Sequence, residues 1–205
     1  MKQLFALTIV LVVSLFVTNV EASVIHSITH DYGVNHAPKS QGAGSCDQLQ
    51  VNYIQIKTPG MMQSCQRFYD VFDFSALDFA SIDSFALTLQ FSHTSGRFKD
   101  WHARPASSAV NGSDALFQLQ KEPNRLTTQT FIFDASLDVF ADMLINQSFY
   151  LWMAQESLSS GRSQNFRLYS ATLDISGTTA TTPVPAPATL ALLGLGLVGL
   201  RLRRR

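Results

Sequence analysis

The run Ser84-Phe85-Ala86-Leu87-Thr88-Leu89-Gln90-Phe91-Ser92-His93 constrains the architecture of this chain more than any other stretch. Phe85, Leu87, Leu89 and Phe91 fall on one parity, and Ala86, Thr88, Gln90 and Ser92 on the other. Successive side chains of a strand point to opposite faces, so a period of two describes a half-buried strand. One apolar face needs a second layer to cover it.

Similar runs recur along the chain. Val24 to His30 opens one. Leu49, Val51 and Tyr53 alternate before the phase shifts to Ile54 and Ile56, which predicts a bulge. Arg67 to Phe74 is rich in aromatics and reads as a central strand. Phe98 to Ala103, Leu116 to Leu119 and Gln129 to Phe133 are shorter, and Phe149 to Gln155 and Phe166 to Ile175 alternate again. Turn signals separate these runs: Thr58-Pro59-Gly60, Ser95-Gly96, Asn111-Gly112, Glu122-Pro123-Asn124 and Ser160-Gly161. Leu137, Phe140, Ala141, Leu144 and Ile145 instead follow i, i+3, i+4, i+7, i+8, which predicts a short helix over 136–145. The expected fold is all-β: an antiparallel β-sandwich or jelly roll of about eight or nine strands with one short helix.

Both ends stand apart from this pattern. Met1-Lys2-Gln3 precedes an apolar run from Leu4 to Val17, and Val20-Glu21-Ala22 places small residues at −3 and −1 of a cut between Ala22 and Ser23. That is the form of a secretory signal peptide, and the run is shorter than the ~20 residues of a bilayer span. At the other end a Thr/Ala spacer leads into Pro183-Val184-Pro185-Ala186-Pro187, then a Leu/Gly run from Leu190 to Leu200, then Arg201-Leu202-Arg203-Arg204-Arg205. Prolines prevent a helix from extending backward, and terminal arginines stay on the cytoplasmic side. The expected organisation is a signal peptide over 1–22, a β-sandwich ectodomain over 23–177, a Thr/Pro linker over 178–183 and a sorting or transmembrane tail over 184–205. Both ends are read as helical, a signal helix and an apolar helix flanking the sandwich.

The tail resembles the PEP-CTERM sorting signal of Gram-negative bacteria. The resemblance rests on Val184, Pro185, Pro187, the following Ala-Thr-Leu-Ala-Leu-Leu-Gly run, and Arg201, Arg203, Arg204 and Arg205. Ala186 stands where the family usually has Glu. The resemblance implies export by the secretion translocon and signal peptidase across the inner membrane, a transient tether there, and cleavage near the prolines by an exosortase-type membrane protease. It further implies release or attachment at the cell surface, commonly beside exopolysaccharide. The body is similar to the β-sandwich ectodomains that precede such tails.

Charge then sorts the remaining partners. The whole chain has 15 Lys+Arg and 15 Asp+Glu. Residues 23–177 retain 10 basic and 14 acidic residues, so the body carries about −4. A nucleic-acid binder needs a basic patch, so no nucleic acid is expected. The two cysteines, Cys46 and Cys65, predict one disulfide in an exported chain.

The candidate chemistry is sparse. His26, His30, Asp31 and His36 cluster near the start of the body, but their spacing matches no zinc pattern, so no metal is assigned. Asp70 and Asp73 differ by an odd number and point to opposite faces of a strand, and Asp78 and Asp83 read as turn residues. An alternative reading has these loop acids bind Ca2+, but no Asp-x-Asp-x-Asp-Gly run supports it, and no cofactor is assigned. Gly-x-Ser-x-Gly, His-Glu-x-x-His and Cys-x-x-Cys are absent, and no catalytic residue is assigned. Trp101 and Lys99 share one phase of a polar neighbourhood. Trp101 reads either as core or, with Lys99, as an exposed sugar platform; Trp152 reads as core.

These readings rank three functions. The first is a non-enzymatic surface or matrix protein associated with extracellular polysaccharide. The second is a carbohydrate-binding module with a defined site near Trp101. The third is a polysaccharide-active enzyme, which needs two convergent carboxylates.

Overall fold

The apolar parity of the 84–93 run is buried throughout: Phe85, Leu87, Leu89 and Phe91 are each 0% exposed. The structure, a computed structural model, describes residues 23–33, 47–57, 68–96, 100–155 and 164–180. Among these the chain forms ten strands and one helix. The strands are β1 (Ser23–Asp31), β2 (Gln48–Leu49), β3 (Ile54–Lys57), β4 (Tyr69–Asp73), β5 (Phe79–Ser92), β6 (Trp101–Ala106), β7 (Phe117–Gln118), β8 (Thr127–Asp134), β9 (Ser148–Gln155) and β10 (Asn165–Thr179). The helix α1 (Phe140–Asn146) lies between β8 and β9.

One sheet has six strands in the order β2-β3-β10-β5-β8, with β1 paired beside β10; the other runs β4-β9-β6-β7. All pairings are antiparallel. The chain alternates between sheets, from β3 to β4, back to β5, over to β6 and β7, back to β8, over to β9 and back to β10. This is a jelly-roll-like β-sandwich. Each sheet covers the apolar face of the other, which is why single strands are hydrophobic on one parity only. Phe85 and Leu89 of β5, Phe149 and Leu151 of β9, and Leu173 and Ile175 of β10 form part of the shared core. Burying each such side chain contributes about 1.5–3 kcal/mol.

β10 is the organising strand. It pairs with β5 along its length, and on its other side with β3 over Asn165–Leu168 and β1 over Ser170–Gly177. At Gly177 a β-carbon would collide with the carbonyl oxygen of Ser81 across a register shift, so the close approach of β5 and β10 there requires glycine.

The outer face of the six-stranded sheet is hydroxyl-rich. Thr29, Thr172, Thr88 and Thr130 form one cross-strand row over β1, β10, β5 and β8. Thr29 and Thr172 are hydrogen-bonded at 2.9 Å, and Thr88 and Thr130 at 2.8 Å.

Several expectations change. The ten strands exceed the expected eight or nine because the 49–56 run, read as one strand, is two, β2 and β3. The phase shift after Tyr53 is a hairpin, not a bulge: β2 and β3 pair antiparallel, and Gln50 N donates to Tyr53 O at 2.9 Å. β4 is an edge strand, not a central one, because aromatic content reports one buried face and not the number of neighbours. The helix starts at Phe140, after a turn in which Ser136 N donates to the Asp134 carboxylate at 2.9 Å. Its buried residues are Phe140 and Met143, whereas Ala141 and Ile145 face solvent. β10 continues to Thr179, two residues into the stretch read as linker.

The two ends of the sandwich differ. Ser23 pairs with Gly177, and Thr179 pairs with Phe79, so the start of β1 and the end of β10 share one end. β8 also finishes there, and α1 crosses from β8 to β9 over the core, its Phe140 ring 5.3 Å from Phe85. Phe74 N, just after β4, donates to Gln147 O at 3.0 Å. This end is called the tail pole below. The signal and sorting segments themselves, including Ala22, Val184, Pro185, Ala186, Pro187, Arg201, Arg203, Arg204 and Arg205, lie outside the described residues.

Candidate functional site

β1 is an edge neighbour of β10 in one sheet, and β4 is the edge of the other. Inward parity on β1 places Ile28 against the core and then His30; Tyr32 follows in the same phase just after the strand. Inward parity on β4 gives Asp70 and Phe72. The two edges therefore face one another with polar side chains. His30 Nδ1 donates to Asp70 Oδ2 at 2.8 Å, and the Tyr32 hydroxyl donates to the same oxygen. Asp70 Oδ1 accepts from Val71 N at 2.8 Å.

Asp70 is 0% exposed, Tyr32 1% and His30 7%. The imidazole stacks on Phe72 at 4.4 Å and 8°. Burial pushes the Tyr32 phenol well above the usual tyrosine range, and the charge and hydrogen bond of Asp70 add to this, followed by Asp31. A buried carboxylate is tolerated because three donors satisfy it. The opposite seam is closed differently. Gln129 of β8 accepts from Gln120 N at 2.8 Å and donates to Gln118 O at 3.1 Å, so one side-chain amide bridges β8 to the β7 edge.

The second polar assembly lies on the outer face of the four-stranded sheet. Tyr69, Trp152 and Arg104 form one cross-strand row, and Tyr150 occupies the next. The Tyr69 and Tyr150 rings lie 6.0 Å apart at 35°, both half-buried. Arg104 stands 5.4 Å over the Trp152 ring. Its Nε donates to Ser113 O and its Nη2 to Gly112 O at 3.2 Å. The 107–114 loop is thereby folded over Trp152, and a β-carbon at Gly112 would lie 2.5 Å from that ring. Asp138 fastens the loop to the turn before α1: Ser113 Oγ donates to it at 2.5 Å and Asp114 N at 2.9 Å. These bonds, with one from Val139 N, hold its carboxyl below the usual aspartate range.

Trp101 is not a surface platform. It is 2% exposed and packs on Phe166 at 4.6 Å, so the expectation of a sugar site on its ring is corrected. A large indole on the inward parity of β6, beside Ala103, is held by the core; His102 and Arg104 take the outward parity instead. Lys99 lies outside the described residues, as do Cys46, Cys65 and His36. Trp152 is 6% exposed, buried by the 107–114 loop on the outer face and not by the inter-sheet core.

The remaining candidates are dispersed. His26 is exposed, while His30 is engaged by Asp70. Asp70 is buried and Asp73 exposed, on opposite faces of β4, with Asp73 accepting from Ser75 N at 2.8 Å. Asp78 and Asp83 are exposed. The seam of His30, Tyr32 and Asp70 is absent from the sequence reading. Its one signal is that polar residues occupy the inward parity beside Ile28 and Phe72.

Residues 183–205 match the PEP-CTERM protein-sorting motif. The chain is thus an exported protein with a C-terminal sorting signal, of the kind recognised by the membrane protease exosortase. No curated protein matches the chain. Among solved structures, the coat protein of Tobacco streak virus is similar at 12% identity and a TM-score of 0.29, over 68% of this chain and 96% of that one.

Proposed function

We propose that this is a non-enzymatic cell-surface or matrix protein of a Gram-negative bacterium, held transiently at the inner membrane by its tail and then released into an exopolysaccharide or biofilm layer. The observation that carries the reading is the sorting motif at 183–205, which follows the end of β10 after the short spacer 180–182. The body acts as a stable folded cargo. Among the described residues, the buried carboxylate of Asp70 is consumed by three internal donors, which favours a structural over a catalytic role. The mildly acidic body suits a soluble matrix component without attraction to nucleic acid.

The test has two parts. A stop codon after Thr182 in the producing strain removes the tail and redirects the protein if the reading is right; unchanged surface retention overturns it. Recombinant residues 23–180 are then incubated with the strain's own extracellular polysaccharide. Sedimentation with the polysaccharide supports matrix association, and a protein that stays wholly in solution removes that part of the reading.

A further inference from the structure

The tail pole has a surface that the fold itself does not use. Val110, at the tip of the 107–112 loop, is 91% exposed, and Ile145 on α1 is 78% exposed. They lie on elements fastened to one another: Asn111 Nδ2 donates to the Asp142 carboxylate at 3.0 Å, and Asn146 Nδ2 donates to Ser107 O at 3.1 Å. Asp134, Asp138 and Asp142 are exposed on the same turn and helix, as is Asp114 of the loop, whose Oδ1 lies 4.0 Å from Arg104 Nη2. Of the described Lys and Arg residues, only Arg104 lies in this half of the sandwich. Lys57, opposite Asn165, and Arg167, opposite Gln55 and Ser92, lie at the other end, and Lys121 and Arg125 belong to the connection entering β8 there.

The chain leaves from this same pole. Only residues 180–182 separate the end of β10 from the sorting motif. Thr179 and Pro183 are therefore at most about 14 Å apart. Any protein that grips the motif at its first prolines meets the tail pole as well. Apolar side chains ringed by carboxylates have the anatomy of a contact patch with an apolar centre and a charged rim. The sign of the rim selects the occupant. Carboxylates are repelled by an anionic bilayer and attracted by a protein face with cations around an apolar centre.

We infer that the patch of Val110 and Ile145, with its rim of aspartates, is a docking surface for the membrane-bound protease that reads the tail. This inference rests on the sorting reading given above. The short spacer makes body and tail one bivalent ligand, in which docking of the pole raises the local concentration of the motif at the enzyme.

The experiment follows tail removal from the full-length precursor in the producing strain by pulse-chase. The variants are Val110→Asp with Ile145→Asp, each combined with the native spacer or with a Gly/Ser insert of about 15 residues after Thr182. Both side chains are exposed, so the variant body keeps the wild-type melting curve. With the native spacer the double variant is shortened at least about fivefold more slowly. With the long spacer the gap between the two pole sequences narrows, because the effective concentration that docking gives the motif falls as the linker lengthens. Wild-type rates for the double variant with the native spacer overturn the inference. Binding of tail-less wild-type body to anionic vesicles, lost in the double variant, assigns the patch to lipid and also overturns it. A wild-type precursor that is never shortened defeats the sorting reading itself, before any pole variant is compared.

Discussion

His30 Nδ1 lies 2.8 Å from Asp70 Oδ2, across 40 residues of sequence and across the seam between the two sheets. Together with the Tyr32 hydroxyl on the same oxygen, it fixes the β1 edge of one sheet to the β4 edge of the other. The interaction is water-excluded, so loss of either side leaves a buried group without its partner.

Asp70→Ala strands His30 and Tyr32 in the core and is expected to cost about 3–5 kcal/mol. Tyr32→Phe removes one donor to a charged acceptor and costs about 1.5–3 kcal/mol. Urea unfolding of residues 23–180 measures both. Equal, near-zero changes in the two variants would show that the seam contributes nothing to stability.

The raised pKa of Tyr32 predicts alkaline sensitivity. Its folded value lies above the unfolded value of 10.0, so its contribution is complete below pH 10.0 and is lost as pH rises through the folded value. The urea midpoint of the wild-type protein should fall more steeply above that pH than the midpoint of Tyr32→Phe. Parallel curves would contradict the shift.

Asp138 predicts the opposite limb. Hydrogen bonds from Ser113, Asp114 N and Val139 N lower its pKa below the ordinary aspartate value of 3.8. Its contribution is present above that value and is lost as pH falls through the folded value. Ser113→Ala removes the largest cause and should flatten the acid limb; the readout is the urea midpoint between neutral pH and the acid transition.

The amide of Gln129 is expected to hold the second seam. Gln129→Ala loses both bonds to the 118–120 backbone and costs about 1–2 kcal/mol. Gln129→Glu keeps an acceptor for Gln120 N but loses the donor to Gln118 O, so it should fall between wild type and Ala. Hydrogen exchange at Gln120 N reports which bond persists.

Gly112→Ala tests the cover over Trp152. The added β-carbon meets the ring at 2.5 Å, and a core-like indole cannot yield without moving the 107–114 loop. The expected result is a red-shifted Trp emission with a lower melting temperature. An unchanged spectrum would mean that the loop shifts freely.

Strands were legible where one face alone is buried. The inward set Phe85, Leu87, Leu89 and Phe91 can be read directly because each neighbour on the other parity is polar or small. The helix face was misread because its inward residues are few: at seven residues, Phe140 and Met143 suffice, and Ile145 falls on the solvent side. The β2–β3 hairpin was hidden because a phase change in the apolar pattern looks the same whether the strand bulges or the chain reverses. Trp101 was ambiguous because its polar neighbours Asp100 and His102 suggested a surface, whereas packing against Phe166 came from a strand 65 residues later. The His30–Asp70 seam had no local signature. Periodicity reports which face a residue occupies, and only the pairing of distant strands reports what it meets there.

The position of β10 has a mechanical consequence. A body anchored through residues after Thr179 receives any pull at the end of its longest strand, with β5 on one side and β1 and β3 on the other. Ladder hydrogen bonds run perpendicular to the strands, so a load along β10 strains many of them together and does not open them one by one. Drag on a tethered cargo is thus resisted in shear by the ladders of β10.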